Sequence, residues 1–249
     1  MKLTVLGCAG SFPGPDSPCS SYLVEAAGFR LLLDFGTGSL SALQRHASLT
    51  SVDAILLTHL HADHVLDACS YVVVRRYAPD GPYPPIPLYA PAGARERLAG
   101  AYGAAGEGPL DDVYTFVDLK PGTFHIGPFT VTAERVNHPV ETYGIRVEHA
   151  GRVLAYSADT APCDALTRLA QNADLFLCEA SYVHGEENPP DLHLTGRDAG
   201  EAAMKAGAAR LVLTHLVSAW GSEANAYESA AAIFPGPVEI ARTGMRYDI

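Results

Sequence analysis

The sequence predicts a layered α/β sandwich. Three observations carry this. Short apolar runs of strand length recur along the whole chain. Segments with helical patterning follow many of them. The same strand-and-helix theme then repeats in a second half. With 249 residues, 48% hydrophobic and 18% charged, the chain can bury a sizeable core, and one domain spanning 1–249 is expected.

The first strand is expected at Lys2–Gly7. Two more, at 20–25 and 30–34, read as a hairpin turning at Ala27-Gly28. Residues 39–45 suit a short helix. Residues 54–58 form a buried strand, because the run is apolar without alternation. A helix over 65–76 and a Pro-rich stretch around a short strand at 86–89 follow. Residues 92–99 read as helix, and the Gly/Ala segment 100–108 as a loop. In the second half, strands are expected at 115–119, 129–136, Tyr143–His149 and 152–157, the last two joined by a tight turn at Gly151. A helix at 164–171 and a buried strand at Leu175–Glu179 come next. Thr195 and Asp198 have capping-box spacing and open an Ala-rich helix that Gly207 ends. A strand at 210–214, a helix at 223–233 and one or two final strands complete the chain.

Composition excludes several classes. No apolar run reaches the roughly 18 residues of a membrane span. The N-terminal segment reads as a strand and not as a signal peptide, so a cytoplasmic location is expected. Cys8, Cys19, Cys69, Cys163 and Cys178 are odd in number and form no Cys-x-x-Cys pair, which signals neither a disulfide framework nor a thiolate zinc site. A formal net charge of −11 disfavours extended binding to a nucleic-acid backbone.

One loop stands out: His59-Leu60-His61-Ala62-Asp63-His64, placed directly after a buried strand. Imidazoles and a carboxylate crowded there are costly unless something binds them. Other strand C-terminal ends lead to Asp34, His138, Asp159, Glu179 and His215. In layered α/β proteins such ends meet at one edge and build sites. His59, His61, His64, His138 and His215 with Asp63 and Asp159 make seven donors of mixed nitrogen and oxygen character. Such a set suits two zinc-like ions, and manganese or iron would also accept it.

The set resembles the metallo-β-lactamase superfamily, whose signature is His-x-His-x-Asp-His followed by His, Asp and His. Asp34-Phe35-Gly36-Thr37-Gly38 is similar to that family's early Asp-x-Gly-x-Gly turn. The resemblance covers essentially the whole chain and implies a four-layer αββα sandwich. It implies that His59, His61 and His138 hold one metal, that Asp63, His64 and His215 hold a second, and that Asp159 bridges them. An aspartate bridge resembles the phosphodiesterase and ribonuclease Z branch. In that branch a segment like Glu179-Ala180-Ser181-Tyr182 precedes one like His193-Leu194-Thr195, which implies that His193 protonates a leaving oxygen and Glu179 orients it. The bland alternative is that His193 caps the next helix. Asp34 is expected to orient a ligand histidine, or else to serve only as a turn residue.

Two departures from ribonuclease Z matter. Only twenty residues separate His138 from Asp159, and they read as one hairpin with no tRNA-gripping arm. The family's Phe-Ser-x-Arg-Tyr segment reads Leu216-Val217-Ser218-Ala219-Trp220, without the arginine. The overall pattern is closer to bacterial, notably actinobacterial, proteins of this fold that hydrolyse cyclic nucleotides. The resemblance thus implies a dinuclear phosphodiesterase that opens 3′,5′-cyclic nucleotides with a metal-bridging hydroxide, in a cytoplasmic protein for which family analogy suggests a homodimer. Ribonuclease Z-like RNA processing, other small phosphodiester hydrolysis, and thioester, lactone or lactam hydrolysis stay as alternatives. The loop from Ser11 to Cys19 could line the site. Tyr182, His184 and Trp220 could stack on a base or simply pack. His46, His125 and His149 read as surface or packing residues.

Overall fold

Two seven-stranded sheets face one another in a computed structural model that describes residues 1–104, 108–220 and 222–249. The first sheet begins with β1 (Lys2–Gly7), β2 (Ser21–Ala26) and β3 (Phe29–Leu33), which are antiparallel neighbours. It continues through parallel β4 (Ala54–Leu56), β5 (Ile86–Ala90) and β6 (Tyr114–Asp118). The second sheet repeats the scheme. Antiparallel β7 (Gly122–Ile126), β8 (Phe129–Arg135), β9 (Tyr143–His149) and β10 (Arg152–Tyr156) give way to parallel β11 (Leu175–Glu179), β12 (Leu211–Thr214) and β13 (Val238–Ile240). The last strand, β14 (Arg246–Asp248), returns to pair with β1. The two similar halves read from the sequence are these two sheets.

Strand sequences explain the layering. In β2, Tyr22 and Val24 point into the core between the sheets, and Leu23 points outward under helices. Leu31 and Leu33 versus Leu32 do the same in β3, as do Leu175 and Leu177 versus Phe176 in β11. Strands buried on both faces lose polar alternation, and each buried leucine stabilises by roughly 1.5–3 kcal/mol. Helices α1 (Ser39–Leu43), α2 (Ala62–Val65), α3 (Asp67–Tyr77) and α4 (Ala94–Tyr102) follow strands of the first sheet. Helices α5 (Asp164–Leu169), α6 (Gly196–Ala206) and α7 (Glu223–Ala231) follow strands of the second. Their apolar faces build the two outer cores, so the order of layers is αββα, as expected.

Several boundaries differ from the sequence reading. The helix expected over 65–76 starts earlier, as α2, and breaks at Leu66 before α3. Helix α4 runs through Gly100, where a loop was expected, because Gly103 in a left-handed conformation (φ 77°) ends it. The rest of that expected loop includes residues 105–107, which lie outside the described residues. Strand β7 was not expected; it begins at Gly122 directly after Pro121, two residue types that favour turns over strands. The hairpin turn at Ala27-Gly28 holds: both residues have positive φ, 49° and 80°, as a two-residue turn matched to strand twist requires. The capping box on α6 also forms, with the Thr195 hydroxyl accepting from the Asp198 amide.

The tightest helix contact is between α6 and α7. A Cβ at Gly196 would overlap the carbonyl oxygen of Ala226, so the two backbones approach there only because no side chain intervenes. Gly196→Ala is therefore expected to cost about 1–3 kcal/mol by overpacking, read as a lowered Tm in calorimetry.

Candidate metal centre

Strand ends from both sheets converge on one edge. The β4 end delivers Thr58 and His59, and α2 presents Asp63 and His64 one turn later. The second sheet supplies His138 after β8, Asp159 after β10, Glu179 at the end of β11 and His215 after β12. The backbone is strained where it turns into this edge. Asp34, Ala158, His215 and Ser11 have φ of 56°, 54°, 55° and 63°, in the left-handed region that non-glycine residues seldom adopt.

The seven expected donors come together in two overlapping groups. His59, His61 and His138 surround one position with Asp159; Asp63, His64 and His215 surround another, again with Asp159. Asp159 Oδ1 lies 3.2 Å from His64 Nε2, and its Oδ2 lies 3.6 Å from His59 Nε2 and 3.3 Å from His215 Nε2. Asp159 thus faces both groups. All seven are buried except His61, which is partly exposed.

Hydrogen bonds behind the donors fix their tautomers. The His64 ring donates through Nδ1 to Asp34 Oδ2 at 2.8 Å. The Thr58 hydroxyl gives its proton to Asp34 and so accepts from His59 Nδ1 at 3.1 Å. The Leu192 carbonyl accepts from His138 Nδ1 at 2.9 Å, and Ser181 Oγ stands 2.8 Å from His215 Nδ1. In each case Nε2 is left with its lone pair aimed inward. Asp63 is oriented separately: its Oδ2 accepts the Ser11 amide at 2.9 Å. The loop after β1 therefore does line the site.

This donor set fits divalent cations. His59 Nε2, His64 Nε2 and Asp159 Oδ1 are buried without a hydrogen-bond partner. Although His64 Nε2 and Asp159 Oδ1 are close, they are not aligned to bond, as expected of groups converging on a third body. Burial pushes His59, His61 and His138 below the ordinary imidazole value, which keeps them in the neutral, ligating form. Burial alone would raise Asp63 and Asp159, but the imidazoles of His215 and His64 outweigh it and hold both carboxyls below their usual range. Burial would likewise lower His64, yet Asp159 and Asp34 draw a proton onto it. The position demands positive charge.

Asp34 is completely buried. It also accepts the Thr58 amide at 2.7 Å and the Tyr156 hydroxyl at 2.9 Å, so it ties β3 to β4 and to the opposite sheet while orienting His64. Asp34→Asn is expected to weaken metal retention about 10–100-fold, measured as metal per chain after dialysis against graded chelator.

His193 lies beside this cluster. Its Nδ1 donates to Glu179 Oε1 at 2.8 Å, and its ring stacks obliquely between those of His138 and His215, with centroids 5.6 and 5.4 Å away. Glu179 is fully buried and accepts from the amides of Thr160, Ser181 and Leu194 and from the Ser181 hydroxyl. Burial opposes a charged His193 ring, but the Glu179 carboxylate outweighs it and raises the ring to about 9; a cation held by the neighbouring residues would lower that value. His193 does not cap α6, since Thr195 does. Sequence reasoning missed Tyr156 and Ser181 as supports. Tyr182 packs edge-on against His193, with centroids 5.2 Å apart; His184 donates its amide to Asn225; Trp220 is exposed against Phe12. His46 contacts Arg246 and His149 packs on Phe129, outside the site.

An αββα sandwich with buried His/Asp clusters at one edge defines a metal-dependent hydrolase. The chain belongs to the β-lactamase superfamily: residues 29–216 match the family described as Beta-lactamase superfamily domain. It is 46% identical over 246 residues to Rv1339 of Mycobacterium tuberculosis, covering 96% of this chain and 88% of that protein. It is 29% identical to the probable metallo-hydrolase YhfI of Bacillus subtilis, over the full length of both. The crystal structure of YhfI superposes with a TM-score of 0.89 over 99% of each chain. Ribonuclease Z of Myxococcus xanthus is also 29% identical, covering 100% of this chain and 98% of that one. That alignment extends over 304 positions, more than the 249 residues here, so the ribonuclease carries segments that this chain lacks.

Proposed function

We propose that the protein is a phosphodiesterase that opens 3′,5′-cyclic nucleotides to nucleoside monophosphates. The observation that carries this reading is the His193–Glu179 pair, set against the seven-donor cluster at its partly open edge. A ribose alkoxide is a poor leaving group and needs a proton as it departs.

His59, His61 and His138 would hold one ion, and Asp63, His64 and His215 a second, with Asp159 shared. Zinc suits this imidazole-rich set, and manganese or iron also fit. When bound, such ions supply an acidified water and positive charge for the phosphate oxygens. The chain's own groups do the rest. Glu179 fixes the His193 ring through Nδ1, so Nε2 is the atom that hands a proton to the ribose oxygen. The water's hydroxyl joins phosphorus as that P–O bond breaks. In a cyclic substrate the ring opens and a single monophosphate leaves.

Small substrates are favoured over RNA on two grounds. The net charge is −11, and β9 and β10 form a direct hairpin between His138 and Asp159, with no room for an RNA-gripping arm. The likeness to ribonuclease Z favours a second reading, cleavage of short RNA ends. One assay separates them: 3′,5′-cyclic AMP, bis(p-nitrophenyl) phosphate and a tRNA precursor on one sample of known metal content. Rapid AMP formation is expected. Turnover of the generic diester alone would sink the cyclic-nucleotide reading, and trimming of the precursor alone would favour the RNA one.

A further inference from the structure

A cavity of about 590 Å³ lies beside the metal centre and contains none of the seven metal donors. That volume lies within the roughly 300–1,000 Å³ typical of small-molecule sites. It opens between the loop after β1, the loop after β12 and the end of β13. Gly10, Thr214 and Leu216 face the cavity. Directly behind them are His215 and Asp63. A Cβ at Gly10 would lie 2.5 Å from the His215 carbonyl oxygen, and the next residue, Ser11, gives its amide to Asp63.

We infer that this cavity receives the base of the nucleotide, and that it favours a purine bearing an exocyclic amine, such as adenine. The inference rests on the phosphodiesterase reading above for the substrate that reaches it. Two features suit that occupant. The lining is mainly apolar, with the Phe12 ring on one side, so it accepts a flat aromatic body. Asp16 lines it and makes no ion pair or side-chain hydrogen bond among the described residues, leaving a carboxylate to accept from an amine. A phosphate on the metal side and a base on the cavity side are then separated only by the Gly10–Ser11 backbone, over which a ribose would pass.

The chain carries a built-in reporter. Its single tryptophan, Trp220, packs on Phe12 with ring centroids 6.0 Å apart, so intrinsic tryptophan fluorescence reports on this lip alone. Titration with adenosine is expected to quench it saturably, whereas ribose 5-phosphate should not. Inosine, which lacks the amine, should bind about tenfold more weakly, and Asp16→Ala should erase that preference. Ala219 is exposed at the cavity mouth. Ala219→Phe should lower the ratio of kcat/KM for cyclic AMP to that for bis(p-nitrophenyl) phosphate at least about tenfold. Hydrolysis of cyclic AMP with no adenosine quench and an unmoved ratio would overturn the pocket and leave the phosphodiesterase reading standing. Saturable adenosine quenching without any hydrolysis of cyclic AMP would support the pocket and sink that reading.

Discussion

Asp159→Ala is expected to lower kcat/KM for any phosphodiester by about 10³-fold or more and to leave the protein short of metal. Asp159 is the one residue common to both donor groups, with oxygens 3.2–3.6 Å from His64, His215 and His59. Its removal takes a negative charge from between the two donor groups. Metal ions provide several kcal/mol of transition-state stabilisation, and each 1.36 kcal/mol is tenfold in rate, which sets the magnitude. The check is metal per chain by elemental analysis together with turnover of bis(p-nitrophenyl) phosphate. Because Asp159 is buried among imidazoles, a folding defect must be separated from a metal defect; Asp159→Asn keeps the shape and should still lose metal. Full metal content with undiminished turnover in both variants would show that the two positions do not depend on Asp159.

Much of this centre was legible because its logic is local. A strand buried on both faces writes a continuous apolar run, and a His, Asp or Glu at or just past its C-terminal end marks the sheet edge. Asp34, His59, Asp159, Glu179 and His215 were found that way, and the His59–His64 cluster needs only six residues of sequence. What stayed hidden depends on contacts that sequence spacing does not encode. Tyr156 reaches Asp34 from 122 residues away and across the sheet interface. Ser181 holds His215 through a hydroxyl that, in sequence, looks like any other serine after a strand. The cavity beside His215 is assembled from three separate loops, each ordinary by itself. Helix ends were misplaced for a related reason: Gly100 is a poor helix former in isolation, but the left-handed Gly103 and the packing of Leu98 and Ala99 carry α4 past it.

His193→Ala is expected to lower kcat for cyclic AMP by about 10²–10⁴-fold, the range for a lost general acid, with metal content unchanged. The first part follows from geometry. His193 is held by Glu179 through one nitrogen and has the other free at the partly open edge of the donor cluster. The second follows from its surroundings, since His193 supports none of the seven donors by a hydrogen bond, whereas Asp34, Thr58, Ser181 and the Leu192 carbonyl do. A lost packing contact and a lost proton donor can be told apart by the leaving group. The p-nitrophenolate ion leaves without help, so bis(p-nitrophenyl) phosphate should lose far less than cyclic AMP, whose ribose oxygen departs as an alkoxide unless protonated. Glu179 orients the ring, so a variant that frees it should show the same selective loss, read together with metal content because Glu179 also braces the Ser181 hydroxyl behind His215 and the Thr160 amide beside Asp159. If instead His193→Ala slows both substrates equally, the imidazole positions the site and gives no proton, and the leaving oxygen must take its proton from another donor.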